Sequence, residues 1–251
     1  MKMIRSCKAL TVISLAAAFC ALARGADVRE EFHQVYPLDK QGHLQLENVN
    51  GHVHIKTWDK QEVKVDAVKR AKTQQHLDDV KIDVQAATDH IRIKTQYPPG
   101  NKNNSTTVEY TLTVPKASRL DKIATVNGAV EIEGASGAGE ITTVNGAITA
   151  TGLSGGGNLS TVNGAVNATF ATVDTGVSLK TVNGSVTLAL PDGANADLSA
   201  QTVHGAITTD FDLNVKKEFP VGQKLQGKLG KGGPAVSLSA VNGSIQIERS
   251  K

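Results

Sequence analysis

The stretch Thr125-Val126-Asn127-Gly128-Ala129-Val130-Glu131-Ile132-Glu133 decides the fold of this chain, because its first four residues return along the sequence. The copies follow one another at a spacing of 18–21 residues, and they begin at Thr143, Thr161, Thr181 and Thr202. A shorter copy, Val241-Asn242-Gly243, closes the series after an interval of about two periods. We therefore expect that one unit between residues 210 and 240 has lost its signature or carries an insertion, with 221–233 as its site.

Each unit predicts two short strands and two turns. Apolar residues alternate with polar ones, so by the two-residue period of a strand they share one face, which we expect to be the interior. Val130, Val166 and Val186 are such positions. The alternation breaks between Ile141 and Val144, and this break indicates a corner.

Two folds compete for this pattern. Asn-Gly between apolar strands is a strong signal for a type I′ hairpin, which would give an antiparallel meander. Near-identical units instead favour a parallel β-helix or β-solenoid with 18–21-residue coils, in which asparagine stacks on asparagine and valine on valine. The sequence predicts this second, all-β fold. At its corners we expect glycine to supply a positive φ.

Residues 24–118 contain alternating apolar segments without the short period. These strands suit an antiparallel sheet with one wet face. Asn50-Gly51 resembles the later units, so this less regular region is either a separate domain or a degenerate part of the same stack. We divide the chain into a signal peptide (1–23), an N-terminal β-strand region (24–118) and a Thr-Val-Asn-Gly repeat solenoid (119–251).

The N-terminus has the pattern of a secretory signal peptide. Lys2, Arg5 and Lys8 precede an uncharged stretch that ends at Ala23, where we expect cleavage. The apolar part is too short to span a bilayer comfortably, and no later segment is long enough. We therefore predict an exported protein without a transmembrane segment, located in the periplasm, on the cell surface or outside the cell.

Removal of this leader changes the composition. Both cysteines, Cys7 and Cys20, lie within it, so the mature chain has no disulfide or thiol chemistry. The whole chain has 27 Lys and Arg against 24 Asp and Glu, and the leader accounts for the difference of three. A net charge near zero gives no compositional case for a nucleic-acid partner.

The segment Asn48 to Val65, followed by serial Val-Asn-Gly units, resembles the bacterial putative-adhesin family, whose members are domains of unknown function built of β-strand repeats. The resemblance covers nearly the whole mature chain. It implies a right-handed β-helix-like fold and an envelope or extracellular setting. No catalytic residues are established for that family, so the resemblance assigns none here.

Carboxylates are the first candidates for chemistry, because glycoside hydrolysis needs two of them at a set separation. Glu131 is followed in later units by Thr149, Asn167 and Thr187, which is typical of a solvated outward position. The repeat region also has few aromatic residues to stack on sugar rings. The acidic residues considered are Glu131, Glu133, Glu140, Asp174, Asp192, Asp197, Asp210 and Asp212.

Histidines are the second candidates. His52 and His54 lie two apart in one strand, and with His43 they could form a metal site, although a solvent-facing row is the simpler interpretation. His204 replaces asparagine in a turn and is read as a tolerated ladder substitution. We assign no catalytic, cofactor-binding or metal residues and predict no cofactor.

These observations predict a non-enzymatic envelope or extracellular scaffold, adhesin-like in function, whose partner is a macromolecule of the envelope or surface. Two alternatives remain open. One is a carbohydrate-active β-helix enzyme, a lyase or glycosidase, with a site near 210–233. The other is a structural spacer or self-assembling unit whose exposed strands pair with copies of itself.

Overall fold

The protein is a stack of coils that contribute strands to two sheets. The computed structural model describes residues 27–100, 105–217 and 221–250, so the signal-peptide prediction lies outside the described residues. One short helix, α1 (Gln74–Asp78), is described. The described strands are β1 (Val28–Pro37), β2 (His43–Glu47), β3 (Val53–Trp58), β4 (Glu62–Ala71), β5 (Lys81–Ala86), β6 (His90–Gln96), β7 (Thr107–Pro115), β8 (Arg119–Ala124), β9 (Val130–Glu133), β10 (Ala138–Asn145), β11 (Ile148–Leu153), β12 (Gly157–Asn163), β13 (Val166–Phe170), β14 (Val177–Asn183), β15 (Val186–Leu190), β16 (Ala196–His204), β17 (Ile207–Thr209), β18 (Val215–Lys217), β19 (Gln223–Leu229), β20 (Ala235–Asn242) and β21 (Ile245–Arg249).

The two sheets are parallel over most of their width. Sheet A has the order β1-β4-β7-β3-β9-β11-β13-β15-β21-β17, and sheet B has the order β18-β19-β16-β20-β14-β12-β10-β8-β2-β6-β5. In each repeat, the Val-Asn-Gly corner joins a strand of sheet B to a strand of sheet A. The predicted all-β solenoid is confirmed. A type I′ turn needs positive φ at both central residues, and no described non-glycine residue has one.

The spatial order of the coils departs from the sequence order at both ends. The C-terminal coil, β20 with β21, lies between the β14/β15 coil and the β16/β17 coil. The N-terminal coil, β2 with β3, lies between the β6/β7 coil and the β8/β9 coil. Each terminal coil is therefore held on both sides by other coils.

Antiparallel strands close the stack beyond these coils. At one end, β4 and then β1 extend sheet A, while β5 extends sheet B. At the other end, β19 and β18 extend sheet B. The expected insertion before the last Val-Asn-Gly thus forms β18 and β19, which make no coil of their own. Strands from 28–115 and from 119–249 share both sheets and one apolar core.

The core lies between the sheets and is built from the inward residue of each strand pair. Val130, Val166 and Val186 are all 0% exposed, as the alternation predicts. Phe170 and Tyr110 are the largest fully buried side chains of the described residues. Burial raises the pKa of the Tyr110 phenol, although its hydrogen bond with Thr95 opposes the shift.

The corner glycines are required for close approach between coils. The expectation of a positive φ is wrong for Gly128, Gly146 and Gly164, which lie outside the left-handed region. A Cβ on Gly146 would instead collide with the backbone carbonyl of Gly128, and one on Gly164 would collide with that of Gly146. Glycine therefore allows one corner to sit directly on the next.

The corner threonines form hydrogen bonds to the carbonyls of these glycines on the inner side of the corner. Thr143 and Thr161 each donate a side-chain hydrogen bond of 2.9 Å to the glycine carbonyl of the preceding coil. These hydroxyls are buried, and the bonds satisfy carbonyls that would otherwise face the apolar interior. In the C-terminal coil Ala240 occupies this position, so it offers no hydroxyl to the Gly184 carbonyl.

Replacing Ala240 with threonine is expected to stabilise the protein. Thr181 and Thr202 fit the equivalent place in the two flanking coils, so the larger side chain has room. One added buried hydrogen bond is worth about 1 kcal/mol, which corresponds to roughly 2–4 °C in Tm. Thermal unfolding followed by circular dichroism measures this shift. Ala240→Val is the control, and an equal gain for valine would assign the effect to packing.

Candidate interaction surface

The Val-Asn-Gly corner carries an asparagine ladder on the solvent side. From Asn127 onward, each Asn Nδ2 donates to the Oδ1 of the asparagine in the preceding coil of the stack, at 2.7 Å for Asn127 to Asn50 and 2.8 Å for the other four bonds. Such ladders hold identical coils in register. The six residues are Asn50, Asn127, Asn145, Asn163, Asn183 and Asn242. His204 continues the row as the neighbour of Asn242, consistent with a tolerated ladder substitution.

Next to this ladder, the corner valines form a row that faces solvent. Their exposed fractions lie between 37% and 40%, in contrast to the buried valine or isoleucine that follows each corner glycine by two positions. The row consists of Val126, Val144, Val162, Val182, Val203 and Val241. The break in alternation at Val144 is therefore an outward turn of the chain.

The outer face of sheet A is polar and regular. Glu131, Thr149, Asn167 and Thr187 are neighbours in one row across four strands, as their spacing predicts. Gln246, on β21 of the C-terminal coil, continues the row. In this row the carboxylate of Glu131 is followed by hydroxyl and amide groups.

The outer face of sheet B has many small polar residues at its centre, where Glu140 and Lys180 are the charged residues of the two central rows. Small polar residues occupy the centre of the face over β10, β12, β14, β20 and β16. They are Thr142, Asn158, Ser160, Ser178, Ser199, Ser237 and Ser239. This area offers many hydroxyl groups without a cleft.

At the N-terminal end of sheet B, Glu47 is surrounded by basic side chains. Its carboxylate lies 3.3 Å from Lys122, 3.6 Å from Arg92 and 3.8 Å from Lys94. Partial burial would raise the pKa of Glu47, but the hydrogen bond and charge of Lys122, with the two other cations, lower it below its usual value. Three cations at this end therefore share one carboxylate.

The acidic residues of the repeats are distributed over several surfaces. Glu140 lies on sheet B, whereas Glu131 and Glu133 lie on sheet A, where Glu133 accepts a 3.0 Å contact from His54. The remaining candidates follow: Asp174 lies in a loop after β13, Asp197 is on β16, and Asp210 and Asp212 come directly after β17. The structure does not gather them into one site.

Asp192 and Asp210 do meet at Arg249. The Arg249 Nη1 atom lies 2.7 Å from the Asp192 carboxylate, and the Arg249 backbone N–H donates to the Asp210 carboxylate. The guanidinium also lies 4.8 Å from the Phe211 ring centre. The Asp192 side chain is 74% exposed, so its contact with Arg249 is a surface ion pair. It links the C-terminal coil to the turn after β15.

The structure separates His43 from His52 and His54, which were considered as an alternative metal site. His43 belongs to β2 in sheet B and His54 to β3 in sheet A, so their side chains face opposite sides of the stack. His43 instead contacts Asp121 at 2.8 Å and lies beside His90. In the part of the chain that the structure describes, no three His, Cys, Asp or Glu side chains are placed to bind a metal ion.

Sequence reasoning missed the charge at the C-terminal end of sheet B. Lys180 is distant in sequence from Lys216 and Lys224, and it reaches their row only through the register of the stack. No local motif marks them. The one available signal was the density of lysine between 216 and 231.

Comparison with known proteins identifies the family. The Toastrack DUF4097 family profile matches residues 122–248, which is half of the chain and includes every Thr-Val-Asn-Gly unit. The chain belongs to the Toastrack DUF4097 family. The resemblance to adhesin-like domains of unknown function is confirmed. No curated protein is detectably similar in sequence.

Several solved structures are similar to this Toastrack chain. A candidate cell adhesion protein from Clostridium sporogenes has 14% identity and a TM-score of 0.44, with coverage of 89% of this chain and 100% of its own. A candidate adhesin from Bacteroides fragilis has 9% identity, a TM-score of 0.35, and coverage of 88% and 97%. A candidate lipid-binding protein from Parabacteroides distasonis has 11% identity, a TM-score of 0.25, and coverage of 91% and 98%. At these scores the likeness carries no functional argument.

The described residues contain no helix long and apolar enough to cross a membrane.

Proposed function

We propose that this Toastrack protein is an exported, non-enzymatic scaffold that binds an extended macromolecule of the bacterial envelope or surface. The observation that carries the proposal is the outer face of sheet B, where hydroxyl and amide side chains, together with Glu140 and Lys180, lie in register over five adjacent strands. A flat, repeated face can contact a long partner at many equivalent points, whereas catalysis needs a few groups at one point. The signal-peptide pattern supports export.

The hydrogen-bonded register of the coils supports the proposal because it makes this face rigid. The asparagine and threonine ladders fasten each corner to the next, so the spacing between strands is fixed at about 4.8 Å. A surface that is already ordered loses little conformational entropy when it binds. This stack therefore suits adhesion or assembly better than a mobile surface would.

A face-blocking experiment tests the proposal. The full chain is produced with its leader in a bacterial host, and mass spectrometry of the exported product reports cleavage after Ala23. Binding to purified cell envelopes is measured by co-sedimentation. The variant Ser160→Tyr with Ser237→Tyr places bulk on sheet B, and Thr149→Tyr with Asn167→Tyr places the same bulk on sheet A.

We expect the sheet B variant to lose binding and the sheet A variant to keep it, with both retaining the wild-type melting curve. Equal binding by wild type and the sheet B variant would contradict the proposed face. Release of oligosaccharides from a polysaccharide panel, abolished by a single change such as Asp210→Asn, would overturn the non-enzymatic role. That outcome would favour a carbohydrate-active enzyme with a site near 210–233.

A further inference from the structure

We propose that a row of residues at the C-terminal end of sheet B binds a linear anionic glycan whose negative charges are carboxylates. This row, called the lysine row, consists of Lys180, Ser239, Gln201, Lys224 and Lys216. The inference rests on the proposed scaffold function and names the chemistry of its partner. It uses a surface that the sequence pattern of the family repeats does not mark.

The register of five strands builds the lysine row. Lys180 of β14 pairs with Ser239 of β20, and Ser239 pairs with Gln201 of β16. Gln201 then pairs with Lys224 of β19, and Lys224 with Lys216 of β18. At about 4.8 Å per strand, four steps make a straight row of roughly 19 Å.

All five side chains point away from the core. The residues beside them in the strands, Leu179, Leu238, Ala200 and Leu225, are buried, and strand alternation places the row on the opposite face. No aromatic or large aliphatic side chain interrupts the row. A partner laid across the strands would therefore meet ammonium, hydroxyl and amide groups in a single line.

Within the part of the chain that the structure describes, the cations of the row form no ion pair. Among the described residues, no carboxylate lies within ion-pair distance of Lys180, Lys216 or Lys224, whereas the cations around Glu47 share its carboxylate. Lys216 and Lys224 are moreover directly opposite one another, an arrangement that disfavours the sheet unless an anion lies between them. Lys228, two positions beyond Gln226 on β19, lies opposite Asp197, so its charge is offset and it is not counted in the row.

The surrounding groups favour a glycan over the other polyanions. Hydroxyl and amide groups between the lysines can exchange hydrogen bonds with sugar hydroxyls, while the ammonium groups act as point charges for carboxylates. Binding of single-stranded nucleic acid relies on aromatic stacking, which the row lacks. A membrane-surface site would combine the lysines with apolar side chains that enter the bilayer, and none lies in the row.

Glycan binding provides a direct test with a matched ligand. The exported wild-type chain is titrated by isothermal calorimetry with polygalacturonate and, separately, with the same polymer after methyl esterification of its carboxylates. Vesicles of phosphatidylglycerol are the membrane probe. We expect binding to polygalacturonate that weakens as salt is added, and at least tenfold weaker binding to the esterified polymer.

Two triple variants distinguish the effect of the lysine row on binding from the effect of overall charge. In one, Lys180, Lys216 and Lys224 are each changed to Gln; in the other, the exposed Lys40, Lys56 and Lys72 are each changed to Gln, which removes the same charge elsewhere. We expect the first variant to bind polygalacturonate at least about tenfold more weakly and the second within about twofold of wild type.

Three results would overturn the inference. They are equal binding of the two polymers, wild-type affinity in the row variant, and tighter binding to the vesicles than to polygalacturonate. The envelope assay distinguishes failure of the glycan inference from failure of the scaffold proposal. If the row variant still sediments with envelopes and the Ser160→Tyr, Ser237→Tyr variant does not, the scaffold proposal stands and the glycan inference fails.

Discussion

Replacing Val166 with aspartate is expected to unfold the protein. The Val166 side chain is 0% exposed and faces the space between the two sheets, so a carboxylate there would have neither water nor a cation. We expect a loss of at least about 4 kcal/mol, most of the stability of a typical domain. Val130 and Val186 occupy equivalent positions in their coils, and changing all three to Asp should leave no cooperative transition.

Val162→Asp is the matched control, because this valine belongs to the same unit and is 40% exposed at the corner. We expect it to change the free energy of unfolding by no more than about 1 kcal/mol. Urea denaturation followed by circular dichroism measures both variants. If Val162→Asp unfolded the protein and Val166→Asp did not, the assignment of inner and outer faces would be reversed.

Gly164→Ala is expected to have the second largest effect. The new methyl group would lie inside van der Waals contact with the backbone carbonyl of Gly146, and a backbone atom cannot move away as a flexible side chain could. The two corners would have to separate, which would stretch the Asn163–Asn145 and Thr161–Gly146 hydrogen bonds. Overpacking of this kind costs typically 1–3 kcal/mol, and with weakened ladder bonds we expect about 3 kcal/mol.

Gly193→Ala is the control for this effect. Gly193 lies in the turn after β15, and a Cβ there would meet no atom within 4 Å. Alanine should therefore be neutral or slightly stabilising, because it narrows the unfolded ensemble. The comparison uses the same denaturation measurement. A neutral Gly164→Ala would show that the coils can separate without loss, contrary to the close-approach explanation.

Much of the fold could be predicted from local patterns. The spacing of Thr-Val-Asn-Gly indicates stacked coils, and strand alternation correctly places Val130 and Val166 inside. The reason for the glycines could not be predicted in this way, because their steric partner is the neighbouring coil and not their own backbone. A positive φ was the local explanation, and the contact between Gly164 and Gly146 is the actual one.

The order of the coils at the two ends also could not be predicted from local sequence patterns. The β14 strand could pair with either β16 or β20, since both lead into a Val-x-Gly corner with nearly the same inward residues. The choice of β20 is accompanied by the long connection that forms β18 and β19 and by the Arg249–Asp192 ion pair. The lysine row depends on that same choice, so it could not be predicted before the order was known.

The interlocked ends bear on how such proteins can change in length during evolution. A coil added directly before β2 or directly after β21 would meet strands already paired on both sides. A coil added in the middle meets no such obstacle, because a duplicate of residues 146–163 would bring its own asparagine, threonine and glycine to the next level. Each duplication there would lengthen the stack by about 4.8 Å while both closures stayed intact. We therefore expect related proteins to differ in the number of central coils and to share the same two ends.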